Sequence, residues 1–564
     1  MARMARRTLT GVAWVLIAGA AHAAAIVQLH VAGGSAQLIV RGRPFLIRGG
    51  ELGNSSAGTA RAAATVLPAL ARRDFNTVLM PVAWDQIEPR PGRFQFATLD
   101  HWIALARIWH LHLVLLWFGS WKNAFSSYAP RWVLHDPRRY PRAVSAAGTR
   151  LPILSVFGRA TRDADAAAFA ALMRHLRRID SVRGTVLMVQ VESEVGYLGV
   201  GGRDRSARAN RLFDQPVPPR LLRALAAPGR RLPWRLAAHF APAGRSWSSA
   251  FGPRADEMFM AWYYARYIES VAQAGKRQYP LPMYMNAQLP AAHERAGHYP
   301  SGGPYPLCQP IYRVAAPAID FYAPDLYWPD FERWVTRYRR AGNPVFVPES
   351  RLELAPYDAL YVFGEARGFG FSAFGVDRPL AAPDRAGRAL AAVYGALAHL
   401  GERFIAAQRS GLTRALILHR HSPRPEQTVA LGGYLFRATL ARNWRTGVPL
   451  ARTGAMLVLE RRPNVFDLLG SGLAVTVLRN PDTDDRIAGI AGIEALHWRA
   501  RHWTVAGRLN GDQSNQGRQV LLAAHHVRLY RVRLYSIARL SPPSGRAGPR
   551  AAQPARHEAA LTAP

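Results

Sequence analysis

The sequence contains a single cysteine, Cys308, among 564 residues, so no intrachain disulfide can form. Lysine is almost as scarce, because only Lys122 and Lys276 among the 73 basic residues are lysines. Beyond the N-terminus, no stretch reaches the roughly 18 apolar residues that a membrane-spanning helix needs. These absences exclude a disulfide scaffold and argue against stable membrane insertion. With 49% hydrophobic and 20% charged residues, the chain is instead expected to be globular with a large core.

The formal net charge of +36 would suit a nucleic acid or another acidic partner. However, the arginines are scattered beside Ala and Pro, and no short run mixes basic with aromatic residues. We therefore predict no nucleic-acid binding, while weak attraction to anionic polysaccharide or membrane surfaces stays open. The 15 tryptophans suit either a large core or a cleft in which indoles stack on sugar rings.

The two ends of the chain carry their own signals. Arg3, Arg6 and Arg7 precede an apolar stretch at 11–20 and a small-x-small site at 21–23. Residues 1–23 are therefore predicted to be a signal peptide that directs bacterial export to the periplasm or the medium. An uncleaved anchor is the alternative. The tail at 541–564, rich in Pro, Ala, Gly and Arg, is predicted to be disordered.

Short apolar runs alternate with amphipathic stretches from about residue 35. The eight runs predicted to be strands are 44–47, 76–82, 112–118, 185–191, 281–286, 319–326, 344–348 and 368–376. The clearest helical patterns between them are 60–73, 99–109, 164–179 and 255–274. Apolar strands that alternate with helices are typical of a parallel sheet. Residues 35–407 are therefore predicted to form an α/β domain, a (β/α)₈ TIM barrel, with an insertion at about 200–250 over its active-site face.

The helical patterns largely stop after residue 407, and strand-like runs separated by turn residues replace them. The predicted strands are 413–419, 428–431, 455–459, 473–478, 503–505, 520–523 and 527–535. Residues 408–540 are therefore predicted to form a C-terminal β-sandwich domain.

Two glutamates follow strands that should lie on opposite sides of the barrel mouth, Glu194 after the fourth and Glu349 after the seventh. A carboxylate placed directly after a buried strand needs a reason, because burial of an unpaired charge is costly. An ion pair with arginine would be a structural reason. Two facing carboxylates also suit a retaining glycoside hydrolase, one as acid/base and one as nucleophile. Alternation along the strand points Glu192 and Glu194 the same way, and the outer residue, Glu194, is better placed to reach a substrate.

The residues 190–196 (QVESEVG) resemble the strand-four motif of glycoside hydrolase family 35, the β-galactosidases of clan A, in which the last Glu is the acid/base. Pro348-Glu349 resembles the strand-seven nucleophile of the same clan. Further segments resemble the shorter bacterial branch of this family, at 48–52, 81–89, 116–123, 323–327, 370–375 and 511–519.

The resemblance implies release of terminal β-linked galactose with retention, without a metal or cofactor. It also implies that Tyr327 lies against the nucleophile. The further candidates for the sugar subsite are Glu51, Trp84, Glu88, Trp117, Trp121, Ser193 and Asn286, with core or rim packing as the alternative for the aromatic residues.

One position departs from the family, since Ser193 stands where the motif has Asn. That Asn usually holds the sugar 2-hydroxyl, so a serine predicts reduced activity on standard galactosides or a shifted substrate. The alternatives are another clan A β-glycosidase activity or a catalytically weakened carbohydrate-binding protein. A surface-adhesion protein that uses the positive charge is a third alternative.

Overall fold

The structure, a computed structural model, describes residues 26–32, 35–291, 293–340, 342–378, 385–484 and 486–539. The predicted signal peptide at 1–23 and the predicted disordered tail at 541–564 lie outside the described residues.

The strands of the first half are β1 (Val27–Ala32), β2 (Ser35–Val40), β3 (Arg43–Phe45), β4 (Ile47–Glu51), β5 (Thr77–Ala83), β6 (His112–Lys122), β7 (Arg142–Val144), β8 (Arg150–Leu154), β9 (Val186–Ser193), β10 (Met283–Gln288), β11 (Phe321–Leu326), β12 (Phe346–Val347), β13 (Glu349–Ser350) and β14 (Gly370–Phe374). Those of the second half are β15 (Thr413–His419), β16 (Glu426–Leu431), β17 (Tyr434–Leu440), β18 (Thr453–Arg462), β19 (Val465–Ser471), β20 (Leu473–Arg479), β21 (Ile487–Arg499), β22 (His502–Leu509), β23 (Gln519–Leu521) and β24 (Arg528–Ile537).

The helices are α1 (Ala60–Ala71), α2 (Trp84–Ile87), α3 (Ala97–Ile108), α4 (Arg131–Leu134), α5 (Arg159–Asp180), α6 (Ala207–Phe213), α7 (Pro219–Leu225), α8 (Trp234–Ala237), α9 (Trp247–Phe251), α10 (Ala255–Lys276), α11 (Gln309–Ala315), α12 (Phe331–Arg340), α13 (Ala355–Gly364) and α14 (Arg385–Arg409). A break at Gly401, with φ of 59°, divides α14 into two helical segments.

Eight parallel strands close into a barrel, in the order β4, β5, β6, β9, β10, β11, β12/β13 and β14, with β14 pairing back to β4. The seventh strand is divided at Pro348, which has no N–H to donate; β12 pairs with β14 and β13 pairs with β11. Almost every residue of these strands is buried, as expected for a barrel with side chains inside and helices outside. The predicted TIM barrel is confirmed.

The first barrel strand is displaced from its predicted position. The run 44–47 spans the end of β3 and the first residue of β4, and the barrel strand extends to Glu51. The strands β1 to β3 form a separate antiparallel sheet whose Val27 and Leu38 join the barrel core. Two glycines interrupt the apolar pattern of β4, so the sequence did not predict the whole strand.

The insertion after β9 contains α6 to α9. The carboxylate of Asp204 accepts the backbone N–H of Val144 (3.1 Å) and the hydroxyl of Ser155 (2.6 Å), which ties the insertion to the β7–β8 hairpin. Tyr197 pairs with Ser301 in the loop after β10. Loops that follow strands three, four and five therefore pack on one another at the carboxyl end of the barrel strands.

The second half is a β-sandwich, as predicted. One sheet has the order β15-β18-β19-β24-β21-β22 and the other β16-β17-β20-β23, and every pairing is antiparallel. Residues such as Phe436, Phe466 and Val475 form the core between the sheets. Leu457 and Leu529 on the other face of the six-stranded sheet join the barrel core. Within the described residues, no helix is both long and apolar enough to cross a membrane.

Candidate active site

Four carboxylates meet at the carboxyl end of the barrel. Glu51 ends β4, Glu194 follows β9, Asp325 lies in β11 and Glu349 begins β13. All four side chains are buried, with residue exposures between 1% and 4%. Glu194, Asp325 and Glu349 each offer an oxygen within 4.8 Å of the other two. The structure thus brings the two predicted catalytic glutamates together across the barrel mouth.

The backbone at the end of β9 separates the two neighbouring glutamates. Glu192 and Glu194 both adopt positive φ, 61° and 48°. This left-handed conformation is uncommon for residues other than glycine, and it ends the alternation that pointed both side chains the same way. Glu192 turns towards β6, where its carboxylate accepts the backbone N–H groups of Ser120 (3.0 Å) and Trp121 (2.8 Å). Glu194 faces the other carboxylates.

The two N–H groups that Glu192 binds belong to a bulge in β6. Trp117 is opposite Val191 and Lys122 is opposite Ser193. The chain therefore moves five positions along β6 while it moves two along β9. Gly119 is required in this bulge, because a Cβ atom there would lie 2.5 Å from the Glu192 Oε1 atom. The bulge brings Lys122 to the level of Glu194 and Glu349.

Lys122 lies between the two glutamates. Its Nζ atom is 3.7 Å from Glu349 Oε1 and 3.9 Å from Glu194 Oε2, and the side chain is only 4% exposed. The spacing of Glu194, Asp325 and Glu349 would also suit a metal ion. The ammonium group already supplies a cation there, so we do not assign these carboxylates as metal ligands.

Glu349 also accepts a hydrogen bond. The hydroxyl of Tyr327 donates to Glu349 Oε2 at 2.7 Å. Burial and the charge of Glu349 raise the pKa of Tyr327, so this phenol stays a donor at neutral pH. The placement of Tyr327 against Glu349 matches the arrangement that the sequence predicted.

Glu194 is oriented by two asparagines. Its backbone N–H donates to Asn286 Oδ1 at 2.9 Å, and the exposed Asn123 donates its amide to Glu194 Oε2. Burial raises the pKa of Glu194 to about 7, with the charge of Glu349 adding to the effect and Lys122 opposing it. Glu194 therefore retains a proton at neutral pH more readily than an ordinary glutamate, as a general acid requires.

Glu51 and Asp325 complete the cluster. Burial raises the pKa of both carboxyls well above the ordinary range, and the negative charge of Glu349 raises each further. Neither oxygen of Glu51 has a hydrogen-bond partner within the described residues. Asp325 accepts the amide of Asn286 at 2.7 Å. Glu51 thus lies in the carboxylate cluster, and its role in substrate binding stays a prediction.

Ser193 is buried beside Asn286. The Asn286 amide donates to Ser193 Oγ at 3.3 Å and to Asp325, while its carbonyl accepts the N–H of Glu194. These two predicted substrate-binding residues thus form part of the network that holds Glu194.

Three other predicted subsite residues are tryptophans that lie in the core, which corrects their assignment as stacking residues, and Glu88 is bound to groups beside them. Trp84, Trp117 and Trp121 have no exposed surface. Their indole N–H groups donate to Glu88 (2.9 Å), Asp165 (2.9 Å) and the carbonyl of Leu154 (3.1 Å). Glu88 also accepts the N–H of Gly92 at 2.7 Å. A fully buried indole presents no face on which a sugar ring can stack, so these residues pack the barrel.

Sequence reasoning did not select Lys122, Asn123, Asp325 or Trp328 as site residues. Trp328 follows Tyr327, donates its indole N–H to the carbonyl of Leu289 at 3.1 Å and is 37% exposed. It is therefore fixed at the rim of the site with part of its surface free. The available signals were that Lys122, Asn123 and Asp325 lie in family-like segments and that Lys122 is one of only two lysines.

A family model described as "Domain of unknown function (DUF5597)" matches residues 390–521, which include most of the sandwich. No curated protein sequence matches the chain. Among solved structures, the chain is similar to a β-mannanase from the blue mussel Mytilus edulis, with a TM-score of 0.41 and 11% identity over 66% of this chain and 96% of that one. It is also similar to a β-galactosidase from Bacillus circulans sp. alkalophilus, with a TM-score of 0.44 and 14% identity over 64% of this chain. The match spans only 57% of the length of that β-galactosidase.

Proposed function

We propose that the protein is an exported retaining glycoside hydrolase that releases terminal β-linked galactose, with Glu349 as nucleophile and Glu194 as acid/base. The observation that carries this proposal is that an oxygen of Glu194 lies within 4.8 Å of an oxygen of Glu349 at the barrel mouth. Retaining enzymes separate their carboxyl groups by about 5–5.5 Å, whereas inverting enzymes need a wider gap of about 6.5–9.5 Å for water.

The environments of the two glutamates favour these roles. Glu349, beside Lys122 and Tyr327, has the contacts that stabilise a carboxylate anion. In the first step a Glu349 oxygen attacks the anomeric carbon while the bond to the leaving oxygen breaks and Glu194 gives that oxygen its proton. In the second step Glu194 takes a proton from water, the water oxygen bonds to the anomeric carbon, and Glu349 is released.

The preference for galactose is proposed from the motifs that resemble family 35. A different clan A β-glycosidase would use the same two glutamates, so the chemistry of the pair does not choose the sugar. The presence of both Glu194 and Glu349 at the barrel mouth favours an enzyme over a carbohydrate-binding protein that has lost its activity.

A panel of 4-nitrophenyl β-glycosides tests the sugar preference. We expect the purified protein to cleave the galactoside faster than the glucoside, mannoside or xyloside, and to release β-galactose first, as seen by NMR of the initial product. Clear cleavage of another glycoside without galactoside cleavage would contradict the galactose assignment. Binding of galactose without turnover of any activated substrate would instead support the carbohydrate-binding alternative.

Trp328 is expected to bind the part of the substrate beyond the terminal sugar. We expect Trp328→Ala to lower kcat/KM for a β-galactosyl oligosaccharide by roughly 3- to 10-fold, the value of one aromatic contact, with little effect on hydrolysis of the trapped galactosyl intermediate. Trp444→Ala is the matched control, because Trp444 is 84% exposed on the sandwich domain. Equal losses in both variants would exclude a specific role for Trp328.

A further inference from the structure

The carboxylate cluster has one cationic side chain at its centre. Lys122 is held 3.7 Å from Glu349 and 3.9 Å from Glu194, and it also interacts electrostatically with Glu51 and Asp325. The face of Phe118 lies 5.2 Å from its ammonium group and shields it on another side. Lys122 is therefore surrounded by acidic groups from four separate barrel strands or strand ends.

The charges in this cluster do not balance if every carboxyl is ionised. The cluster has four buried carboxyls. Among the described residues whose charges act on Glu51 and Asp325, Lys122 is the single cation. Burial of unpaired charge is costly, so some carboxyls must keep protons. One positive charge cannot neutralise four carboxylates. Glu349 lies 3.7 Å from the ammonium group and also accepts the Tyr327 hydroxyl, so it has the contacts that favour an anion.

We propose that Lys122 is a positioning residue whose ammonium group stabilises the negative charge on Glu349, so that Glu349 is the ionised carboxylate of the cluster. The β6 bulge, whose backbone N–H groups bind Glu192, places Lys122 in the cluster. The effect of Lys122 on catalysis rests on the proposed function. Its effect on the protonation of the cluster can be measured without any turnover.

The test compares Lys122→Met with Lys276→Met. Lys276 is the only other lysine of the chain and forms a partly exposed ion pair with Asp320 at 2.7 Å, remote in the fold from the carboxylate cluster. For each protein, kcat/KM on an activated aryl β-galactoside and the free energy of unfolding are measured between pH 4.5 and 8.5. In Lys122→Met we expect both limbs of the rate profile to move to higher pH by about one unit or more, because a cation within 4–6 Å favours ionisation.

Unfolding supplies a readout that is independent of activity. Without Lys122 the native cluster holds about one more proton than in the wild type, whereas the unfolded carboxyls ionise normally. The native state then binds more protons than the unfolded state, so stability is present at low pH and falls as pH rises. We expect this slope in Lys122→Met to be steeper than in the wild type, and Lys276→Met to retain the wild-type slope.

Several outcomes separate the hypotheses. A uniform loss of activity or stability at all pH values in Lys122→Met would show a packing role and overturn the proposal. If Lys122→Met folds only at low pH, the double variant Lys122→Met/Glu349→Gln, which removes both charges, should recover folding at neutral pH. Failure of that recovery also overturns the proposal. If the wild type cleaves no galactoside, the proposed function fails while the unfolding slopes still decide the role of Lys122.

Discussion

Replacement of Glu349 by glutamine is expected to lower kcat for an aryl β-galactoside by on the order of 10⁴-fold or more, because the amide cannot form the glycosyl-enzyme ester. Glutamine has nearly the same shape and keeps an oxygen for the Tyr327 hydroxyl, which donates at 2.7 Å in the wild type. The variant should therefore fold, and the loss should appear in turnover. Steady-state kinetics with thermal unfolding as a folding check measure both.

Glu353→Gln is the matched control, because Glu353 is exposed and lies only a few residues further along the chain. Azide added to Glu349→Ala should restore turnover and yield the α-galactosyl azide, since a small anion then attacks from the nucleophile side. In the wild type, a 2-fluoro galactoside should label the peptide that contains Glu349. A label on any other residue, or turnover of Glu349→Gln within about tenfold of the wild type, would contradict the assignment.

Replacement of Glu194 by glutamine is expected to have an effect that depends on the leaving group. For a lactose-like substrate, whose leaving alkoxide needs a proton, we expect kcat/KM to fall by on the order of 10³- to 10⁴-fold. For a dinitrophenyl galactoside, whose leaving group needs no proton, formation of the intermediate should be much less affected. The ratio of the two losses is an internal control, because misfolding would reduce both rates equally.

The pH profile offers a second test of Glu194. The pKa of Glu194 is raised by burial to about 7, and the acid must be protonated to act. Activity of the wild type on the poor leaving group should therefore fall as pH rises through about 7, and Glu194→Gln should lose this basic limb. A limb that persists in the variant would assign the acid to another group.

The barrel could be predicted because buried parallel strands must be apolar throughout, and seven of the eight runs were of this kind. The strands β17, β19 and β21 were missed in the sandwich. A pattern was present in β17, which alternates buried with more exposed residues, whereas Asp467 interrupts β19 and two glycines interrupt β21. The positions of Glu194 and Glu349 followed from one rule, that catalytic groups follow barrel strands at their carboxyl ends. That rule does not depend on packing details.

Whether a tryptophan lies in the core or in a sugar subsite could not be predicted from the sequence. Trp84, Trp117 and Trp121 lie in family-like segments near strand ends, yet all three are buried with their N–H groups bonded inside the protein. An aromatic side chain suits a core as well as a sugar subsite, and residue type does not distinguish them. Trp328, which keeps an exposed face, could be recognised only once its surroundings were known.

The sequence by itself determined the barrel, the sandwich and the two glutamates at opposite strand ends, because hydrophobic periodicity and strand polarity are local properties. Only the tertiary structure decided what surrounds those glutamates. The β6 bulge displaces residues by several positions relative to β9, and left-handed backbone at Glu192 and Glu194 sends adjacent acidic side chains to different neighbours. Both depend on contacts between distant segments, so the sequence could mark Lys122 only as a rare lysine in a family-like segment and could not place it at the centre of the site.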